Sequence, residues 1–365
     1  MKITDLEIFP CHVPYIPAIQ KYRPEGMYPT IIRVHTDEGI TGLGGGGHEH
    51  RPVPRRVLEE RFAKLKGRRL EELNPRDVTY PFDVALYDIL GKALGVPVSW
   101  LLGGRVRDKI PIAYWVVESA TPEDTAEEAL KAVRLGCKTI KFHTNPKEET
   151  TVARVKAIHE AVGDRIAIRI DRGYPWDLPM AVRIARQLKG YNIECLEDPL
   201  GKTWNNPWDV ERHLILKRKT DIPLAWHTED PRAFLIAVRS GAIDYFNAGG
   251  LGSLEEPGYT ERAVSRCLRS AAIAEEAGMQ GWVDPLGVAS GVQHVFGLHL
   301  ASVIRNATMP ADTFYMLEDD LIKEPFCEIH DGYTEVPREP GLGIELDEAA
   351  VEKYLVEGEG KGHRF

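Results

Sequence analysis

The sequence predicts a parallel α/β barrel with a second, smaller domain, and three observations carry that prediction. The first is the stretch 165–199, which reads twice as a short apolar run ending in a carboxylate. Ile166–Ile170 ends in Asp171, and Ile193–Leu196 ends in Glu197-Asp198-Pro199, with apolar residues at helical spacing between them from Leu178 to Lys189. The second is rhythm: strand centres near Ala113, Ile140, Ile168, Cys195, Leu224, Tyr245, Trp282 and Phe314 alternate with helical patterns. A barrel of roughly 250 residues over eight units requires about 30 residues per unit, close to the Asp171–Glu197 interval. The third is length, since 365 residues exceed one such barrel and leave room for another domain.

Residues 1–36 read as two antiparallel strands, an alternating MKITDLEIFPCHV and TIIRVHT, joined by the Pro-rich, aromatic loop Pro14 to Pro29. Asp37-Glu38-Gly39 is a turn. The run from Gly42 to His50 formally contains G-x-G-x-x-G at Gly42, Gly44 and Gly47. A dinucleotide fingerprint must open a helix, and Pro52 and Pro54 follow instead, so the run is expected to be a mobile loop that could cover a site. Its His48 and His50 could touch a substrate or simply be solvated. From Val57 to about Leu102 the pattern is helical, strongest over Asp83–Leu94, with Gly95 and Pro97 as stop signals. Strands and helices then alternate, and after Glu318 the pattern becomes irregular. Asp331–Pro337 is hairpin-like, and a short final helix follows Pro340–Leu346.

Composition narrows the function classes. Apolar residues make up 43% of the chain, ample for a buried core. The longest apolar runs fall well short of the ~20 residues of a membrane span. The N-terminal MKITDLEIFP mixes acids with apolar residues and shows no secretory signal, so a cytoplasmic protein is expected. Cys11, Cys137, Cys195, Cys267 and Cys327 form no C-x-x-C pair and read as reduced core thiols. A net charge of −9 is unsuited to nonspecific nucleic-acid binding but leaves room for an anionic small molecule.

At the predicted strand ends stand Lys141, His143, Asp171, Glu197, Glu229, Asn247, Asp284 and Glu318. Each alone is a weak signal, because an acid after a strand is often a helix N-cap, a role open to Asp198 and Asp230. Together, acids from successive strands would point into one space and repel, and an oxygen-preferring divalent cation such as Mg²⁺ resolves that repulsion. Alternation puts Lys141 and His143 on one face of their strand. Cations beside a metal-bound acid suit abstraction of a proton next to a carboxylate.

These residues resemble the enolase superfamily, specifically its mandelate racemase and muconate lactonizing enzyme branch. The similarity runs through Ala85–Lys92, Pro97–Arg105, Gly136–His143, the acid-bearing strands and Pro340–Glu345. It implies a modified (β/α) TIM barrel with an N-terminal α+β capping domain completed by the C-terminal segment. The expected boundaries are 1–109 for the cap, 110–320 for the barrel and 321–365 for the returning segment. The resemblance also implies one Mg²⁺ held at the ends of the third, fourth and fifth strands. Asp171 and Glu197 match the first two ligands. At the third, a gapless match gives Thr228, a one-residue shift gives the favoured Glu229, and His227 is a possible substitute. The common Lys-x-Lys of the second strand is here Lys141-x-His143. The sixth-strand Asp or Lys is replaced by Gly249, and the seventh-strand His by Asp284.

Racemisation requires two competent bases facing each other, and the partner opposite Lys141 is either missing or Asp284, a poor base unless burial raises its pKa. The leading expectation is therefore a Mg²⁺-dependent hydro-lyase that dehydrates a hydroxylated or sugar acid to a 2-keto acid. Lys141 or His143 would be the base, and His143 or Asp284 the acid. Glu318 would hydrogen-bond near the substrate carboxylate or enolate. A racemase or epimerase of the same fold, or a homologue that binds metal or ligand without turnover, are the alternatives. Tyr22 and Arg23 in the first long loop, His50 and Asn247 are the candidate substrate-binding residues. The expected partner is a small hydroxy or sugar acid, with self-association into a homo-oligomer and with neither nucleic acid nor membrane.

Overall fold

The computed structural model describes residues 1–48, 53–144, 147–172, 174, 176–201, 207–227, 230–249, 263–284, 290–313 and 317–356. The chain opens with β1 (Ile3–Pro10), a short helix α1 (Pro17–Gln20), β2 (Tyr28–Thr36) and β3 (Thr41–His48), and the three strands form an antiparallel sheet in the order β1-β2-β3. Alternation explains the first strand: Ile3, Leu6 and Ile8 are buried while the polar residues between them are not. Gly39, at φ +79°, closes the turn between β2 and β3.

The glycine run is a strand and not the expected loop. Residues 41–48 pair in register with β2, from His35–Thr41 to Tyr28–His48. The reason is close approach. A Cβ on Gly42 would lie 2.2 Å from the carbonyl oxygen of Ala85, and one on Gly44 would lie 2.4 Å from that of Pro81. Glycine lets the strand lie against the first turns of a helix, which side chains would prevent. His50 lies outside the described residues.

The expected helical stretch is broken into α2 (Arg55–Phe62), α3 (Phe82–Leu94) and α4 (Val98–Leu101), with 3-10 turns at Leu70–Glu72 and Pro75–Asp77. Helix α3 ends at Gly95 in the left-handed conformation, φ +67°. Its buried Asp88 accepts the Leu43 N–H at 2.9 Å and the Leu342 N–H at 2.8 Å, and pairs with Lys92 at 2.7 Å. One carboxylate thus ties cap sheet, cap helix and C-terminal segment together.

From Lys109 onward strands and helices alternate as β4 (Lys109–Val116), α5 (Pro122–Arg134), β5 (Thr139–His143), α6 (Glu148–Val162), β6 (Ala167–Asp171), α7 (Leu178–Gln187), β7 (Ile193–Glu197), α8 (Pro207–Lys217), β8 (Leu224–His227), α9 (Pro231–Ser240), β9 (Tyr245–Asn247), α10 (Ala263–Glu276), β10 (Gly281–Trp282), α11 (Gly291–Val303) and β11 (Ala311–Thr313). These eight strands form one parallel path, β10-β9-β8-β7-β6-β5-β4-β11, which is a nearly closed barrel. Seven of the eight expected strand centres fall inside strands; the eighth, Phe314, lies one residue past β11 and outside the described residues. Thr121, Asp177 and Asp230 cap α5, α7 and α9 through side-chain oxygens. At φ +48°, Asp198 Oδ1 accepts the His227 N–H at 3.1 Å and links β7 to β8, a different role from the helix cap expected.

The C-terminal segment returns to the cap. Strand β12 (Tyr333–Glu335) pairs antiparallel with β4. Helix α12 (Glu348–Tyr354) then docks on the first sheet, where the His12 N–H donates to the Tyr354 carbonyl at 2.7 Å. All five cysteines are buried and free. No described helix is long and apolar enough to cross a membrane.

Candidate active site

Parallel pairing sets the register of the barrel mouth. His143 on β5 is level with Asp171 on β6, and Asp171 is level with Glu197 on β7. His227 on β8 is level with Asn247 on β9. The carboxyl ends of successive strands therefore carry His143, Asp171, Glu197, His227 and Asn247 side by side, as a barrel site requires.

At its centre is Lys141, only 1% exposed. Its Nζ lies 2.6 Å from Asp312 Oδ2, 2.8 Å from Asp171 Oδ2 and 3.0 Å from Glu197 Oε2. Three carboxylates thus meet the three N–H donors of one ammonium. Burial pulls the Lys141 pKa down, but Asp171, Asp312 and Glu197 outweigh it and hold it well above the usual lysine range. In this arrangement the three carboxylates favour the ammonium form of Lys141.

The two acids differ. Burial disfavours charge on Asp171, yet Lys141 and His143 prevail and keep its pKa well below the ordinary carboxylate range. Burial and the charge of Asp171 together push Glu197 well above that range. Its Oε2 is buried and, beyond the Lys141 ion pair, has no hydrogen-bond partner among the described residues. One ammonium does not neutralise this pair, and an under-compensated, converging pair of hard oxygen ligands suits an added divalent cation. Among the described residues no group of three or more His, Cys, Asp or Glu is arranged to hold a metal, so Asp171 and Glu197 do not by themselves complete a cation site. The other candidates sit at the end of β8: Thr228 and Glu229 lie outside the described residues, and His227 Nδ1 is 3.8 Å from Glu197 Oε1.

His143 stands at the rim, partly exposed, with Nε2 3.1 Å from Asp171 Oδ2 and its ring edge-on to Trp115 at 5.6 Å. Past the end of β10, Asp284 is 7% exposed, with Oδ2 4.0 Å from His227 Nε2. Asn247 is fully buried. Its Nδ2 donates to Glu197 Oε1 at 2.8 Å, and its Oδ1 accepts the N–H groups of Gly249 and Asp284 at 3.2 and 3.1 Å. Expected as a substrate ligand, Asn247 spends these groups on fixing Glu197 and the ends of β9 and β10.

Three expected site residues lie apart from this cluster. Glu318 falls five residues past β11, where its Oε1 accepts the Tyr354 hydroxyl at 3.2 Å and lies 3.8 Å from Lys353. Arg23 pairs with Glu118 at 2.5 Å, and the Tyr22 hydroxyl donates to Asp124. These two fasten the first long loop to the β4–α5 connection and the first turn of α5, beside a cleft of about 400 Å³ whose lining includes Trp115, the neighbour of His143.

Sequence reasoning missed three buried charges. Asp312 accepts from Lys141, Arg169 and Trp282. Arg169 stacks on Trp282 at 3.6 Å and pairs with Glu194 at 2.7 Å. Arg154, from α6, donates to the carbonyls of Val117, Glu118 and His143 at 3.0–3.1 Å and so staples the ends of β4 and β5 together. Burial brings Arg154 down to about 9. An available signal was Arg169, two residues before Asp171 and thus on the same strand face.

A family model described as "Enolase C-terminal domain-like" matches residues 124–350, more than half of the chain. The chain belongs to the enolase superfamily. Within it, the relatives place the chain in the mandelate racemase and muconate lactonizing branch. It is 27% identical to a D-xylonate dehydratase of Haloferax volcanii, covering 94% of this chain and 90% of the relative. It is equally, at 27%, identical to an N-succinyl-L-Arg/Lys racemase of Bacillus cereus, covering 98% of each. The crystal structure of an isomerase from Streptomyces coelicolor A3(2) superposes with a TM-score of 0.77 at 27% identity, covering 97% of this chain and 98% of the other. The enolase-superfamily architecture is that of a catalytic domain, and its relatives include both lyases and isomerases.

Proposed function

We propose that this protein is a Mg²⁺-dependent dehydratase of a hydroxylated or sugar acid. It would remove the proton α to the carboxylate and eliminate water to give a 2-keto acid. The observation that carries this reading is the convergence of Asp171 and Glu197 at one point, with His143 3.1 Å from Asp171 at the open rim. Asp171 and Glu197 would hold the cation, with Glu229 the third donor by sequence position. Bound there, the cation supplies positive charge against the charge that develops on the substrate carboxylate.

The remaining roles fall to the chain's own side chains. With Nε2–H donated to Asp171, the His143 Nδ1 lone pair takes the α-proton, and Asp171 holds the ring in that tautomer and orientation. Lys141 stays an ammonium and steadies the acids. As the β-hydroxyl leaves, the His143 imidazolium or Asp284 returns a proton to it, water departs, and the resulting enol tautomerises to the 2-keto acid. The relationship to D-xylonate dehydratase supports this outcome.

Epimerisation is the second reading, favoured by His227 at the end of β8, which lies 4.0 Å from Asp284 and would be the second base. One experiment separates the two. The protein with Mg²⁺ is offered a library of acid sugars and N-acylated amino acids in D₂O. Keto acid trapped by semicarbazide supports dehydration, whereas Cα deuterium exchange without it supports epimerisation. Silence in both assays leaves a ligand-binding homologue and ends the proposal.

A further inference from the structure

Lys141 presents a difficulty for any cation site at Asp171 and Glu197. Its ammonium lies 2.8 and 3.0 Å from the oxygens a divalent cation would need. Its shortest contact, however, is below them: 2.6 Å to Asp312 Oδ2 on β11, across the barrel interior. Asp312 is fully buried and gripped on every side. Arg169 donates to its Oδ1 at 2.7 Å, and Trp282 Nε1 donates to Oδ2 at 3.0 Å. Arg169 is itself fixed by Glu194 at 2.7 Å, by the Pro310 carbonyl at 2.9 Å and by the Trp282 ring at 3.6 Å. The barrel floor is therefore an ionic platform that does not touch the open mouth.

We infer that Asp312 is a positioning residue: it tethers the Lys141 ammonium from beneath, so that Asp171 and Glu197 stay convergent yet remain able to bind a divalent cation. Without this counterion the ammonium would lean wholly on the two upper carboxylates and compete with the cation. Trp282 acts in the opposite sense, because its N–H shares the oxygen that Lys141 uses. The inference rests on the cation site of the proposed function and extends it to the residue that keeps the site open.

The test is titration of the full chain with Mn²⁺ by calorimetry, without substrate, for wild type, Asp312→Asn, Lys141→Met and the double variant. Asp312→Asn is expected to weaken Mn²⁺ binding about tenfold, the scale of one charged hydrogen bond. Because Asp312 acts through Lys141, the same change made in Lys141→Met should alter binding by about threefold at most. Trp282→Phe should tighten binding about two- to threefold, a sign that general loosening of the floor would not produce, and it carries the test should Asp312→Asn fail to fold. Unchanged affinity in Asp312→Asn, equal losses in both backgrounds, or weaker binding in Trp282→Phe overturns the inference alone. No Mn²⁺ uptake by wild type overturns both it and the proposed function.

Discussion

A histidine at the end of a strand is usually a solvated group, and what distinguishes His143 is how completely its surroundings fix it. Arg154 holds its backbone carbonyl at 3.1 Å, Trp115 lies edge-on to its ring, and Asp171 takes its Nε2. The neighbouring Lys141 has the same strand and face but is spent on three carboxylates. On the proposed reading the base is therefore chosen by contacts and not by residue type, since both lysine and histidine serve this chemistry. Replacing His143 by Gln should lower α-proton exchange on the cognate acid by about 10²–10⁴-fold, the range expected for loss of a positioned general base. Mn²⁺ affinity should hold within about threefold, because both carboxylates proposed to hold the cation are retained. Exchange that survives in His143→Gln would move the base to the His227–Asp284 side.

At the scale of elements, the alternation of strands and helices was legible because each buried element repeats its apolar residues at a fixed period. In α7 the buried set is Ala181, Ile184 and Ala185, the spacing of one helix face. Strand β3 was not legible for the same reason, since a strand made of glycines has no side chains to alternate. Its signal is an absence, room for α3, and only the partner reveals it. Gly44→Ala should accordingly destabilise the protein by about 1–3 kcal/mol, as overpacking does. The new Cβ would meet the Pro81 carbonyl oxygen at 2.4 Å and Ile32 Cγ1 at 3.0 Å, and a backbone carbonyl cannot rotate away. A lower urea midpoint at unchanged m-value would show it, whereas wild-type stability would mean that the cap sheet and α3 are not in contact.

The whole molecule explains which parts of the site could be foreseen. Lys141, His143, Asp171, Glu197, Asn247 and Asp284 were visible because strand ends in a parallel barrel share one rim. Asp312 was not, because its partners lie far along the chain and meet only when the barrel closes; Lys141 and Arg169 are 171 and 143 residues away. The same closure buries α11 between barrel and cap, and with it His299. The Ser99 N–H donates to His299 Nδ1 at 3.3 Å, and Nε2–H donates to the Leu342 carbonyl at 3.1 Å, which fixes a neutral imidazole. Burial lowers its pKa from 6.5 to about 4. A group depressed on folding takes up its proton more readily when unfolded, so its contribution is complete above pH 6.5 and is lost as pH falls toward 4. The full loss is on the order of 3 kcal/mol. Asp83, raised by burial to about 7, and Asp320, raised to about 6, pull the other way over much of this interval, so wild type alone would not isolate the effect. The difference between wild type and His299→Gln does. The variant should be less stable at pH 7, where it loses packing at the cap–barrel junction, and the gap should close by about 3 kcal/mol by pH 4. Urea denaturation at pH 7, 5.5 and 4 measures it, and a gap independent of pH would mean that folding leaves the His299 pKa unshifted, as for a ring exposed to water.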